Sequence, residues 1–218
     1  MTITTILFDL DGTLIDSRRD IALAFQYALR EVVGGALPDE EAIARHIGKP
    51  LERMAHELGY RLEAEQLGLF LGTYRARYAL TCAQHTQPFP GVLATLEGLA
   101  PVACGVVTTK AQEQAEAVLR QLRMARLFRH IQGTSPGLRV KPAPDTVLTA
   151  LRALGCAPEQ ALMVGDTPAD ILAGRAAGVR TCAVTYGVGT PQELQACQPD
   201  YTIDAFAALT TLDWRGSL

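Results

Sequence analysis

Four short apolar runs in this chain each stop at a polar residue or a glycine, and that repeated pattern constrains the fold more than any other feature. Ile3–Phe8 ends on Asp9, Val102–Val107 on Thr108 and Thr109, Ala161–Val164 on Gly165 and Asp166, and Thr181–Thr185 on Tyr186 and Gly187. Runs of this length, apolar and β-branched, read as strands buried on both faces. Weaker strands are expected at His130–Gly133 and Tyr201–Ile203. Helical patterns fall between them, at about Gly91–Leu99, Ala111–Leu122, Pro144–Leu154, Pro168–Ala177 and Pro191–Ala196. Strands alternating with helices predict an α/β fold, with a mostly parallel sheet covered on both sides.

Residues from about Ser17 to His85 break the alternation. They hold no convincing strand, only amphipathic stretches at about Arg19–Val33, Asp39–His46, Leu51–Leu58 and Glu63–Thr81, punctuated by Gly34-Gly35 and Gly48-Lys49-Pro50. So long an all-helical segment is not a single crossover helix. It reads as a small domain, residues 16–86, inserted into a core made of 1–15 and 87–218. The joints are expected near Asp16-Ser17 and Gln84–Pro90, acting as hinges.

Charge and composition remove several classes of function. The net charge is −3 and there is no basic stripe, so no nucleic-acid partner is expected. No apolar run approaches the ~18 residues of a spanning helix, so no membrane partner is expected. The N-terminus lacks the basic region of a secretory signal. Five dispersed cysteines without Cys-x-x-Cys spacing read as buried thiols of a cytoplasmic protein, a monomer or homodimer. An anionic substrate would need local help from a metal, lysines or backbone N–H groups.

The chemistry concentrates where the strands end. Asp9 and Asp11 stand two residues apart after a buried strand, so both carboxylates can face one substrate beyond the carboxyl edge of the sheet. One can attack while the other carries a proton. Asp166 can join them if its strand lies beside the first. Three aspartates converging on one point, Asp9, Asp11 and Asp166, suit Mg²⁺. Asp170 fits two roles, a capping-box acid behind Thr167 and Pro168 or a group orienting a metal water or a lysine. Thr108 and Thr109 close a strand and open a helix, where hydroxyls and free N–H groups bind phosphate. Lysine is rare: Lys49, Lys110 and Lys141 are the only three, against 17 arginines among 20 basic residues. Lys141 suits the neutralisation of a carboxylate–phosphate pair as a point charge, whereas Lys110 reads as a solvated loop lysine. Nothing supports a Ser-His-Asp triad, a Walker loop or a dinucleotide fingerprint.

Taken in order, these segments resemble the motifs of the haloacid dehalogenase (HAD) superfamily. Asp9-Leu-Asp11-Gly-Thr13 is similar to its first motif, Thr108 to its second, Lys141-Pro142 to its third and Gly165-Asp166-x-x-x-Asp170 to its fourth. The resemblance implies a Rossmann-like core of five or six parallel strands, with residues 16–86 as a mobile helical cap. It implies Asp9 as nucleophile and Mg²⁺ ligand. Asp11 would be general acid and then base, its backbone carbonyl on the metal. Thr108 and the Thr109 N–H would hold phosphate oxygens, with the Gly12 N–H nearby. Lys141 would neutralise nucleophile and phosphate, Asp166 would ligate the metal directly, and Asp170 would stand in its outer shell.

Within the superfamily the chain looks most like phosphoglycolate phosphatases and related pyrophosphatases, acting on a small phosphorylated metabolite. Many phosphoglycolate phosphatases carry Asn where this chain has Thr109, and Val-Thr-Thr-Lys together with Ile47-Gly48-x-Pro50-Leu51 is similar to the pyrophosphatase branch. Arg45, His46, Gly48, Lys49 and Arg53 gather around that loop and are expected either to contact the leaving group or to form a solvated basic edge. Pyrophosphate hydrolysis, sugar phosphomutation and a non-catalytic binding role are the alternatives. A dehalogenase or a phosphonate hydrolase would not need Asp11 as proton carrier.

Overall fold

The computed structural model describes residues 2–214, so residue 1 and residues 215–218 of the expected core lie outside the described residues. Six parallel strands, β1 (Thr5–Phe8), β4 (Ala103–Ala111), β5 (His130–Thr134), β6 (Ala161–Gly165), β7 (Arg180–Val184) and β8 (Tyr201–Ile203), form one sheet in the order β5-β4-β1-β6-β7-β8. The order reverses beside β1. An open α/β sheet binds ligands at such a switch point, beyond the carboxyl ends of its strands.

Alternating side chains of β1 feed two cores. Ile6 and Phe8 pack into the large cluster with Val106, Val164 and Phe206, while Leu7 joins Val107, Met163, Val147 and Leu151 on the opposite face. That second face is covered by α7 (Asp145–Leu154) and α8 (Pro168–Ala176). With both faces covered, the strands must be apolar throughout, which is why they are conspicuous in the sequence.

Residues 18–81 hold four helices: α1 (Arg18–Val32), α2 (Glu40–Ala44), α3 (Leu51–Glu57) and α4 (Ala64–Thr81). Helix α1 buries Ile21, Phe25, Ala28 and Leu29 at helical spacing, and α4 answers with Phe70, Tyr74 and Tyr78. Phe25 and Phe70 meet edge to face at 5.1 Å.

One feature of the joints has no counterpart in the sequence reading. Where the chain leaves and re-enters the core, β2 (Ile15–Asp16) and β3 (Gln87–Pro88) pair as a two-residue antiparallel ribbon. Beside it, buried Asp20 accepts hydrogen bonds from the backbone N–H groups of His85 and Thr86, from Thr86 Oγ1 and from His85 Nδ1. The two crossings are therefore laced together at one place.

A second difference concerns β4. The strand was expected to stop at Val107 and the helix to open with the threonines. Instead β4 runs on to Ala111 and α6 occupies Gln112–Gln121, with Ala111 as its N-cap. Thr108 and Thr109 therefore stand on strand backbone, not at a helix N-terminus. Being β-branched, they suit it.

Candidate active site

Because β4, β1 and β6 are neighbours, their ends carry Thr108, Asp9 and Asp166 to one place. The β1–β6 register puts Phe8 against Val164, and the Asp9 N–H donates to the Val164 carbonyl at 2.9 Å. Lys141, in the turn before α7, and Asp170, in the first turn of α8, complete the group. All five side chains are buried.

Lys141 is the hub. Its Nζ donates to Asp9 Oδ1 at 2.7 Å, to Asp170 Oδ1 at 2.5 Å and to the Val107 carbonyl at 2.9 Å, which uses all three of its protons. Asp170 both holds Lys141 and caps α8, for its other oxygen accepts from the Thr167 backbone and hydroxyl at 2.9 and 2.6 Å. Asp166 accepts from Thr13 Oγ1 at 2.7 Å and from the Val188 N–H at 2.8 Å. The second oxygen of Asp9 has no hydrogen-bond partner among the described residues.

Carboxylate oxygens of Asp9, Asp166 and Asp170 all lie within 4.8 Å of one another. Three buried carboxylates face one ammonium, so two formal negative charges stay uncompensated. The titration of the site registers that shortage. Burial drives the Asp9 carboxyl well above its usual range; Lys141 opposes this, and Asp170 and Asp166 add to it. Burial, reinforced by Asp170, pushes Asp166 up to about 7. A hard divalent cation is the charge and donor type that oxygen set fits, and Mg²⁺ matches it.

The carboxylate group differs from the expected one in its third member. The side chain of Asp11 does not join the cluster. It accepts from Ser17 Oγ at 2.5 Å through Oδ1, and Lys110 Nζ stands 3.1 Å from its Oδ2. Lys110 is thus no solvated loop lysine. It is buried, donates to Tyr78 Oη at 3.0 Å and lies 4.3 Å from the centre of the Tyr78 ring. The reason is α4, whose Tyr78 reaches over the strand end and roofs the ammonium.

The expected phosphate contacts are modified as well. The Gly12 N–H is used by the Ile15 carbonyl at 2.9 Å. What Gly12 provides is space, since with φ at +92° a Cβ there would lie 2.2 Å from Asp166 Oδ2. Thr108 Oγ1 accepts from the Lys110 N–H at 3.1 Å, and Thr109 Oγ1 donates to the Gly48 carbonyl at 3.0 Å, tying the insert to the core.

The basic residues expected around the Gly48 loop are compensated. Arg45 pairs with Glu41 on the exposed face of α2. His46, Lys49 and Arg53 all converge on the Glu57 carboxylate, which Lys49 and Arg53 hold down at about 2. Gly48 and Lys49 line a cleft of about 250 Å³ whose core side is Asp11, Thr109 and Lys110.

Besides Lys110, three contributors have no site role in their sequence pattern alone: Ser17, Tyr78 and the Gly187-Val188-Gly189 turn. A Cβ on Gly187 would sit 2.3 Å from Asp166 Cβ, and one on Gly189 2.3 Å from the Asp166 carbonyl. Two glycines in a loop after β7 are the signal that was there to be read, since a backbone that approaches another this closely admits no side chain.

A profile of haloacid dehalogenase-like hydrolases matches residues 6–184. A phosphoglycolate phosphatase from Aquifex aeolicus is 35% identical over 210 residues, covering 95% of each chain. A pyrophosphatase from Bacillus velezensis is 32% identical over 209 residues, covering 95% of this chain and 94% of its own. Among solved structures, a haloacid dehalogenase-like family hydrolase from Streptococcus pneumoniae superposes with a TM-score of 0.86 at 34% identity, covering 96% of this chain and 97% of that one.

Proposed function

Because this chain belongs to the haloacid dehalogenase-like hydrolase family, we propose that it is an Mg²⁺-dependent phosphatase of a small phosphate monoester, phosphoglycolate-like, working through an aspartyl-phosphate on Asp9. The observation that carries this reading is the convergence of Asp9, Asp166 and Asp170 on the single buried ammonium of Lys141. Asp9 is gripped through Oδ1 and keeps its other oxygen for attack on phosphorus.

Each residue then has a task. Lys141 keeps Asp9 aimed and offsets charge when the phosphoryl group arrives. Thr108 and the backbone around it receive the phosphoryl oxygens. Asp11 stands on the cleft wall, where it gives a proton to the leaving oxygen and later takes one from the attacking water. Held by Asp9 and Asp166, with Asp170 in the outer shell, Mg²⁺ would neutralise the transferring phosphoryl group. Residues 16–86 act as the cap and exclude water.

The test is Mg²⁺-dependent release of phosphate from p-nitrophenyl phosphate and phosphoglycolate. Asp9→Asn is expected to abolish turnover without unfolding the protein, and borohydride reduction of acid-quenched enzyme to convert Asp9 to homoserine. An active Asp9→Asn variant overturns the nucleophile, and a wild type silent on every ester favours a binding role. A pyrophosphatase is the second reading, supported by the similar protein of that name and separated by comparing kcat/KM for the two substrates.

A further inference from the structure

The cleft beside Asp11 does not end there. It shares Arg75, Ala111, Gln114 and Thr134 with a larger cavity of about 600 Å³ that runs on between α4 and α6, past Tyr78 to Pro136. The two form one trough leading away from the reacting end. It is more room than a two-carbon acid or a second phosphate fills.

Two side chains at the junction are unusual. The Nε2 of Gln114 is buried and has no hydrogen-bond partner, a state that in a native protein calls for an explanation. Arg75 projects from α4 on the other side and forms no ion pair among the described residues. The other cations of the site are engaged: Lys49 and Arg53 with Glu57, Lys110 with Asp11, Lys141 with Asp9 and Asp170. Glu52 and Glu113 also line the trough and, like Arg75, they are exposed, but neither pairs with it among the described residues. The Arg75 guanidinium, which has no ion pair, and the buried, unpartnered Gln114 amide both line this space, and both are donors that an oxyanion accepts from.

We propose that Arg75 and Gln114 form a leaving-group subsite, and that the substrate is a phosphate monoester whose alcohol is longer than two carbons and ends in a second anionic group. This rests on the phosphatase reading and puts a longer, doubly anionic ester in place of phosphoglycolate as the preferred substrate. Arg75 and Gln114 are specificity residues: they touch the distal end of the substrate and take no part in phosphoryl transfer.

The experiment compares the phosphate esters of butanol and 4-hydroxybutyrate, with butane-1,4-diol bisphosphate as the phosphate-ended counterpart. Wild type is expected to prefer one or both doubly anionic esters over butyl phosphate by at least tenfold in kcat/KM, expressed in KM. Which of the two is better identifies the distal group as carboxylate or phosphate. Arg75→Met and Gln114→Leu should each cut that preference about tenfold, with Arg75→Lys recovering part of it. Equal kcat/KM for neutral and anionic esters in wild type, or a preference that survives both substitutions, overturns the subsite while leaving the phosphatase intact. Calorimetric titration with 5-phosphonopentanoate and Mg²⁺ keeps the two readings apart. If no ester turns over, the phosphatase reading fails, yet a Kd about tenfold weaker in both variants still supports the subsite. Unchanged Kd in both overturns it.

Discussion

Lys110 Nζ lies 3.1 Å from Asp11 Oδ2, with both side chains buried. One ammonium thereby joins the proposed proton carrier to Tyr78 of the insert. Removing one partner of a buried pair leaves the other charge uncompensated, at a cost of about 3 kcal/mol. Lys110→Met should lose stability of about that size in chemical denaturation. It should also lower kcat by an order of magnitude or more, because Asp11 then keeps only its Ser17 contact. Wild-type kcat in Lys110→Met would show that the pair does not position Asp11.

The legible parts of this site are those set by local pattern. Asp9 and Asp166 end apolar runs, and in a doubly covered parallel sheet such ends must lie at one edge. Asp170 was legible as a cap because its partners are three residues away. Lys110 was not, because Tyr78 and Asp11 meet it only through the packing of α4 over β4. Thr-Thr-Lys also carries helix-cap chemistry, which hid the longer strand. The β2–β3 ribbon is two residues deep, too short for any periodicity to announce it. The basic residues around Gly48 looked free because nothing in their order shows that Glu57, on the last turn of α3, collects three of them.

A glycine gives a second test. Gly187 has no room for a Cβ, which would meet Asp166 Cβ at 2.3 Å. Gly187→Ala must push Asp166 away from Asp9 or move the loop that donates Val188 N–H to it. Displacing a ligand's support typically lowers metal affinity ~10–100-fold. Mg²⁺ titration of phosphatase activity should show that rise in the activation constant, with near-normal kcat at saturating metal if the loop relaxes. An unchanged constant would mean that Asp166 is not a ligand.

Acidity supplies a third. Without a cation the folded protein keeps a proton on Asp166 up to about pH 7, whereas an unfolded aspartate releases it near ~3.9. The folded state therefore binds more protons across that window. The contribution of Asp166 to stability is full below the unfolded value and is lost as pH rises through 7. Mg²⁺ needs the carboxylate, so its binding expels that proton at pH 6 and costs nothing of the kind at pH 8. The rise in Tm produced by Mg²⁺ should be larger at pH 8 than at pH 6. Calorimetry in buffers of different ionisation enthalpy should find more protons released on Mg²⁺ binding at pH 6 than at pH 8.5. Equal Tm increments at both values would contradict the assignment.

Asp20 gives the last. Desolvation pushes its carboxyl up, but the hydrogen bonds from His85 and Thr86 outweigh this and hold it below the usual range. Such a group stabilises the fold above its unfolded pKa, and that contribution is lost as pH falls through its lowered value. Its donors all come from the chain returning to the core, so the carboxylate clasps the two crossings beside the ribbon. Hydrogen bonds to a charged acceptor are worth ~1.5–3 kcal/mol each but do not add fully, so Asp20→Ala should cost about 3–4 kcal/mol. At this chain length each kcal/mol shifts Tm by ~2–4 °C, so a fall of about 10 °C is expected. Asp20→Asn keeps one accepting oxygen of the two and should lose roughly half as much. Cleavage by a nonspecific protease should then appear first near residues 84–90, where released N–H groups free the backbone. If Asp20→Ala melts like wild type and is cut elsewhere, the clasp contributes nothing to holding the two crossings together.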